Sequence, residues 1–218
     1  MIEEKLNKLQ EKIIEMALLV ESMIEKSIRG LIERNKTLLL EVIEKEEKRV
    51  DDMEVEIEDM GMKFIALYHP EATYLRTSLM ILQINNDLER MGDEAVNICE
   101  SALFLIERPP VKPLIDIPRM AEITIQMLKD SITSFIEKNA DLAKDVWGRD
   151  DIVDSLRDQI HRELITYMMN DPSTIERSMH LLRIARSLER IADLSTNLCE
   201  DVIFMVKGKM IKHGKEEI

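Results

Sequence analysis

Apolar residues return every three or four positions over most of the chain, the period of a helix with one buried stripe. Leu6, Leu9, Ile13, Met16, Val20 and Met23 predict a first helix from about residue 3 to Glu33. Asn35 to Thr37 is a short polar break suited to capping the next segment. A second helix, about Leu38 to Tyr68, follows from Ile43, Val50, Met53, Ile57, Met60, Phe64 and Leu67. His69-Pro70-Glu71 is a turn, because proline disfavours helix for the residue before it and suits the first turn of the helix after it. Ile81, Ile84, Leu88, Met91, Ala95, Ile98, Ala102 and Leu105 then mark a third helix, about Glu71 to Glu107.

The segment ERPPVKPLIDIP concentrates Pro109, Pro110, Pro113 and Pro118 and predicts a stiff, extended linker. After it the pattern starts again. Helices are expected at about Arg119 to Lys138, about Asp141 to Met169, and from the Asn170-Asp171-Pro172 turn to about Lys207. The third and sixth helices carry the same text: LERMGDEAVNICE at 88–100 and LERIADLSTNLCE at 188–200 agree at seven of thirteen positions. An internal duplication of three helices predicts an all-α chain of two tandem antiparallel three-helix bundles. The expected division is residues 1–108, a proline-rich linker at 109–118, and residues 119–218.

Composition agrees, with 45% hydrophobic residues, 4% aromatic and no sustained alternation of the kind strands show. A formal charge of −13 makes nucleic acid an unsuitable partner and metal cations or basic protein surfaces suitable ones. The opening MIEEKLNKLQ is polar and acidic, and no apolar run approaches a membrane span, so a cytoplasmic protein is expected. Cys99 and Cys199 occupy equivalent places and read as small buried side chains, not a disulfide. No glycine-rich phosphate loop or Ser/His/Asp order is present, so no motif supports direct phosphate binding or catalysis.

Candidate chemistry lies in acidic pairs one helical turn apart. Glu89 and Asp93 stack on one face of the third helix, and Glu189 and Asp193 repeat them on the sixth. Aligning the second and fifth helices through Val50/Val153, Met53/Leu156 and Ile57/Ile160 gives Glu47/Asp51 and Asp150/Asp154. Antiparallel packing across the 69–71 turn would bring Glu47, Asp51, Glu89 and Asp93 together, and the matching 170–172 turn would do the same for their twins. With Asn97 and Asn197 as added amide oxygens, this is an oxygen-rich set suited to Mg, Mn, Ca or iron. Acidic residues on an outer helical face are often only solvated, but four pairs at matching places favour a site.

These motifs, with the PEATYLR segment and the PPVKP linker, resemble the PhoU family along nearly the whole chain. The resemblance implies a non-enzymatic, cytoplasmic, often dimeric regulator of phosphate homeostasis. Such proteins act with the ATPase subunit of the phosphate-specific ABC transporter and its sensor histidine kinase, meeting the membrane only through these partners, to repress uptake and the starvation response when phosphate is sufficient. It also implies metal ions, including multinuclear iron clusters, on the four acidic pairs. The alternative is a ferritin-like di-metal carboxylate enzyme, whose bundles use Glu-x-x-His at i and i+3. The nearest match here is a single Asp158-x-x-His161.

Overall fold

Asn35 and Asn139 fix where the second helix of each half begins. Each adopts extended backbone, and its side-chain oxygen accepts the amides two and three residues on, so two orphan helix-end donors are satisfied. Around these caps a computed structural model describes residues 2–207, and beyond them the backbone of residues 211–212 and 215–216. The helices are α1 (Ile2–Ile32), α2 (Lys36–Glu41), α3 (Glu47–Tyr68), α4 (Ala72–Ile106), α5 (Asp116–Glu137), α6 (Ala140–Trp147), α7 (Asp150–Asn170) and α8 (Ile175–Lys207). Residues 211–212 and 215–216 form a minimal antiparallel pair, β1 and β2.

The predicted second helix is continuous but not uniform. Residues Val42–Glu46 between α2 and α3 are π-helical. The cause is legible by comparing the halves: fifteen residues separate Asn35 from Val50, but fourteen separate Asn139 from Val153. The extra residue is absorbed as a π-bulge, which lets both flanking segments keep their buried faces. Lys26 of α1 clamps the bulge, bonding Glu41 at 2.9 Å and Glu46 at 2.7 Å. The predicted fifth helix is broken where Gly148 and Arg149 separate α6 from α7. Glycine is a poor helix former, and the Arg149 guanidinium reaches Asp130 of α5 at 2.6 Å, pinning the break.

Two linker expectations are corrected. Helix α5 starts at Asp116, not Arg119, because Pro118 falls in its first turn, where a missing N–H is harmless. The linker is held at both flanks but is not extended throughout, because it bends at Val111 and Lys112. Arg34 bonds the carbonyls of Ile106 and Arg108, and Arg177 bonds that of Pro109 at 2.8 Å. Lys112 is buried and paired with Asp116 and Glu163.

In each half the three helical legs share an apolar centre, with Ile13, Met23, Ile57, Ile84, Leu88 and Met91 fully buried in the first. Gly92 lets α3 approach, since a Cβ there would lie 3.3 Å from Val50. Cys99 and Cys199 are buried free thiols. The halves also pack on one another, α4 along α8 and α1 against α5. Glu94 meets Arg190 at 3.1 Å, and Phe104 stacks on His180 at 4.0 Å. The level rises on α4 while it falls on α8, so the two longest helices run antiparallel. Among the described residues, no helix is long and apolar enough to cross a membrane.

Candidate functional site

The turn at 69–71 folds α4 back along α3, and the acidic pairs of the first half meet on the outer face. Burial, then the charges of Asp51, Asp93 and Glu100, hold the Glu47 carboxyl above the usual range. Glu89 is raised by burial and then by Asp93, Glu54 and Asp51, with Arg90 opposing. Asp93 is raised by burial, then Asp51 and Glu94. Mutual repulsion at this range means the four predicted carboxylates face one field.

A fifth carboxylate belongs to the group. Glu54, one turn beyond Asp51, is raised by burial, then by Glu58, Asp51 and Asp93. It stands outside the E-x-x-x-D spacing, so the pair motif passes over it. The signal that would have found it is its partner in the second half, because the same offset that pairs Asp51 with Asp154 pairs Glu54 with Arg157. Among the described residues, no Lys or Arg forms an ion pair with any of these five carboxylates.

The second cluster is built alike and compensated differently. Asp150 is pushed up to about 6 by burial, then by Asp193, Asp154, Asp151 and Glu189. Asp193 is raised by burial, then Glu189 and Asp154, while Arg157 and Arg190 pull it down. Arg157 sits among them: its guanidinium is 3.2 Å from Asp154 and 2.9 Å from Asp158, and it bonds Glu189. One half carries an uncompensated anionic face; the other carries the same face with its own cation.

Asn97 and Asn197 lie at the border of these faces. The Asn97 amide donates to Glu94 at 3.2 Å and lines a groove between α4 and α8, and Asn197 lines the corresponding groove on the other side. Among the described residues, no three Asp, Glu, His or Cys side chains already converge as a set of metal ligands. The first cluster nevertheless fits a hard cation by its donors: five carboxylates, of which Glu47, Glu54, Glu89 and Asp93 are held above the usual range, with no cation ion-paired to any of them among the described residues. The second fits less well, since a metal must displace Arg157. Neither His69, His161 nor His180 joins a carboxylate cluster, and the carboxylates face outward, unlike the inward set of a ferritin-like centre.

The family model for the PhoU domain matches the chain twice, at residues 13–102 and 117–202. The chain belongs to the PhoU family. It is 46% identical over 210 residues to the phosphate-specific transport system accessory protein PhoU homolog of Aquifex aeolicus, covering 96% of this chain and 95% of that one. The PhoU homolog 2 of Thermotoga maritima is 36% identical over 218 residues, 100% of this chain and 92% of that one. The crystal structure of PhoU from Pseudomonas aeruginosa superposes with a TM-score of 0.92 at 31% identity, over 95% of this chain and all of that one. PhoU of Streptococcus pneumoniae shares the fold, with a TM-score of 0.89 at 24% identity over 97% of this chain and 100% of that one.

Proposed function

We propose that this PhoU-family chain is a non-enzymatic, cytoplasmic accessory protein of a phosphate-specific ABC transporter. It acts, as a homodimer, on the transporter's ATPase subunit and on the sensor histidine kinase, and represses phosphate uptake and the starvation response when phosphate is sufficient. The full-length likeness to relatives named as accessory proteins of phosphate-specific transport supports the pathway. The observation that carries the mechanism is the uncompensated face of Glu47, Asp51, Glu54, Glu89 and Asp93. A divalent metal or iron cluster held there removes the repulsion between α3 and α4 and presents a fixed, less acidic outer surface to a partner.

Two measurements test this. Glu89→Ala with Asp93→Ala is expected to lower the metal retained after gel filtration, read by elemental analysis, and to leave a phosphate-starvation reporter active in phosphate-rich medium. A double variant that keeps the metal removes the site. Normal repression by a variant without metal leaves the accessory role standing and removes the metal from it.

A further inference from the structure

The duplication creates two grooves flanking the α4/α8 contact, at places related by the hundred-residue repeat. One is lined by Gln83, Asn86, Asp87, Arg90, Asn197 and Asp201. The other has Arg183, Arg186, Ser187, Arg190, Asn97 and Ser101 at the equivalent positions. Two neutral side chains of the first groove are thus arginines in the second, and two aspartates are serines. Both sets of positions are α-helical and the first groove forms with Gln83 and Asn86 in these places, so helix packing does not require the arginines.

Arg183, Arg186 and Arg190 step by three and four along α8 and form one stripe. Arg190 is neutralised by Glu94 at 3.1 Å. Among the described residues, Arg183 and Arg186 form no ion pair, in a chain with 43 acidic side chains. Glu94 and Glu100 also line the groove, but Glu94 is engaged by Arg190 and Asn97, and Glu100 adds to the field that raises Glu47. His180 closes one end, its ring stacked on Phe104 and its Nδ1 buried without a hydrogen-bond partner. Burial, then Arg183, keep this imidazole below its usual range. The cavity measures about 430 Å³, the size of a small-molecule site.

We infer that the groove formed by Arg183, Arg186 and Ser187 of α8 with Ser101 of α4 binds a compact oxyanion of the phosphate type, free or carried on a small molecule. Two unpaired guanidinium forks on one stripe match the oxygens of a phosphate, and the serine hydroxyls and His180 surround them with further hydrogen-bonding groups. No sequence motif announces this site, because its two walls come from different halves of the chain.

The test is a titration of chelator-treated protein, so that phosphate cannot bind through a metal on the acidic faces. Inorganic phosphate and AMP are added separately at low ionic strength and followed by calorimetry and amide chemical shifts. Saturable binding is expected, with shifts centred on residues 180–190 and 97–101. Arg183→Gln with Arg186→Gln, both exposed, is expected to weaken it by about tenfold or more. Arg90→Gln in the other groove is expected to leave it unchanged. Binding of phosphate identifies the free ion as sufficient; binding of AMP alone identifies the phosphate group of a small molecule. Absence of saturable binding by both, wild-type affinity in the double variant, or an equal loss in Arg90→Gln overturns the inference. Failure here leaves the metal reading of the acidic faces untouched, since no metal is present.

Discussion

Replacing Arg157 by Gln should leave the second acidic cluster, like the first, without a cation ion-paired to its carboxylates. The guanidinium lies about 3 Å from two carboxylates and bonds a third, that of Glu189. Unscreened at an effective dielectric of 20, one such contact amounts to roughly 5 kcal/mol. Solvent removes most of that, because Arg157, Asp154 and Asp158 side chains are 33%, 48% and 55% exposed. Pairs of that kind contribute roughly 0.2–1 kcal/mol each, so about 1–2 kcal/mol is reasonable for the three together. A divalent ion entering this cluster must displace the guanidinium and forgo that stabilisation.

Since about 1.4 kcal/mol is a factor of ten, the second cluster should bind Mn²⁺ about tenfold more weakly than the first. Arg157→Gln should bring the two within a few-fold of each other, and Glu54→Arg should abolish the stronger site. Anaerobic calorimetry with Mn²⁺, checked by elemental analysis, reads both. Without metal, the same electrostatics predicts opposite signs: Arg157→Gln destabilises the fold by about 1–2 kcal/mol, and Glu54→Gln stabilises it by removing repulsion. Two equal sites in the wild type, or melting shifts of the same sign in both variants, would refute the reasoning.

Other expectations follow from the same geometry. Metal-free protein should melt higher at pH 5 than at pH 7.5. Asp87 and Asp150 are raised to about 6, and Glu47, Glu54, Glu89, Asp93 and Asp193 are raised too, so the fold binds these protons more tightly than the unfolded chain. That contribution is complete below the ordinary carboxylate range and is lost as pH rises through about 6. His180, held below the usual imidazole range, opposes it as a single group, and a melting temperature falling steadily from pH 7.5 to 5 would contradict the prediction. Asn139→Ala should cost about 1 kcal/mol in denaturant unfolding through loss of the α6 cap, with an unchanged m-value. Gly30→Ala should cost about 1–3 kcal/mol, since its Cβ would sit 2.5 Å from the buried Leu39 side chain, whereas Gly92→Ala meets Val50 at 3.3 Å and should cost less.

The helical period was sufficient to place six helical legs, their turns and the duplication, because each leg buries one stripe and the stripe is written in residues such as Leu88, Met91 and Ile98. What it could not show was departures that leave the stripe intact. The π-bulge at Val42–Glu46 hides inside a run that stays apolar at the right face, and only the one-residue difference from the second half reveals it. The break at Gly148-Arg149 depends on a contact with Asp130, from another helix. Within the candidate site, the E-x-x-x-D spacing found four pairs and passed over Glu54 and Arg157, which lie one turn further along. Asn97 and Asn197, grouped with the carboxylates by spacing alone, border the α4/α8 grooves.

A duplicated chain supplies its own control for what the fold requires. Leu88/Leu188, Glu89/Glu189, Asp93/Asp193 and Cys99/Cys199 are the same residue in both halves, and the two members of each pair are buried or exposed alike. Glu54/Arg157, Gln83/Arg183 and Asn86/Arg186 occupy matching backbone positions yet differ in charge, so neither helix formation nor core packing dictates the choice. Glu54 and Arg157 act on the acidic faces, and Arg183 and Arg186 act on a groove at the join of the halves. Charge also differs between the halves on plain exposed faces, as at Lys48/Asp151 and Asp59/Arg162. What sets Glu54/Arg157, Gln83/Arg183 and Asn86/Arg186 apart is that each lies where two helices bring several polar groups within range of one another, so that a change of one charge alters what ligand can be held.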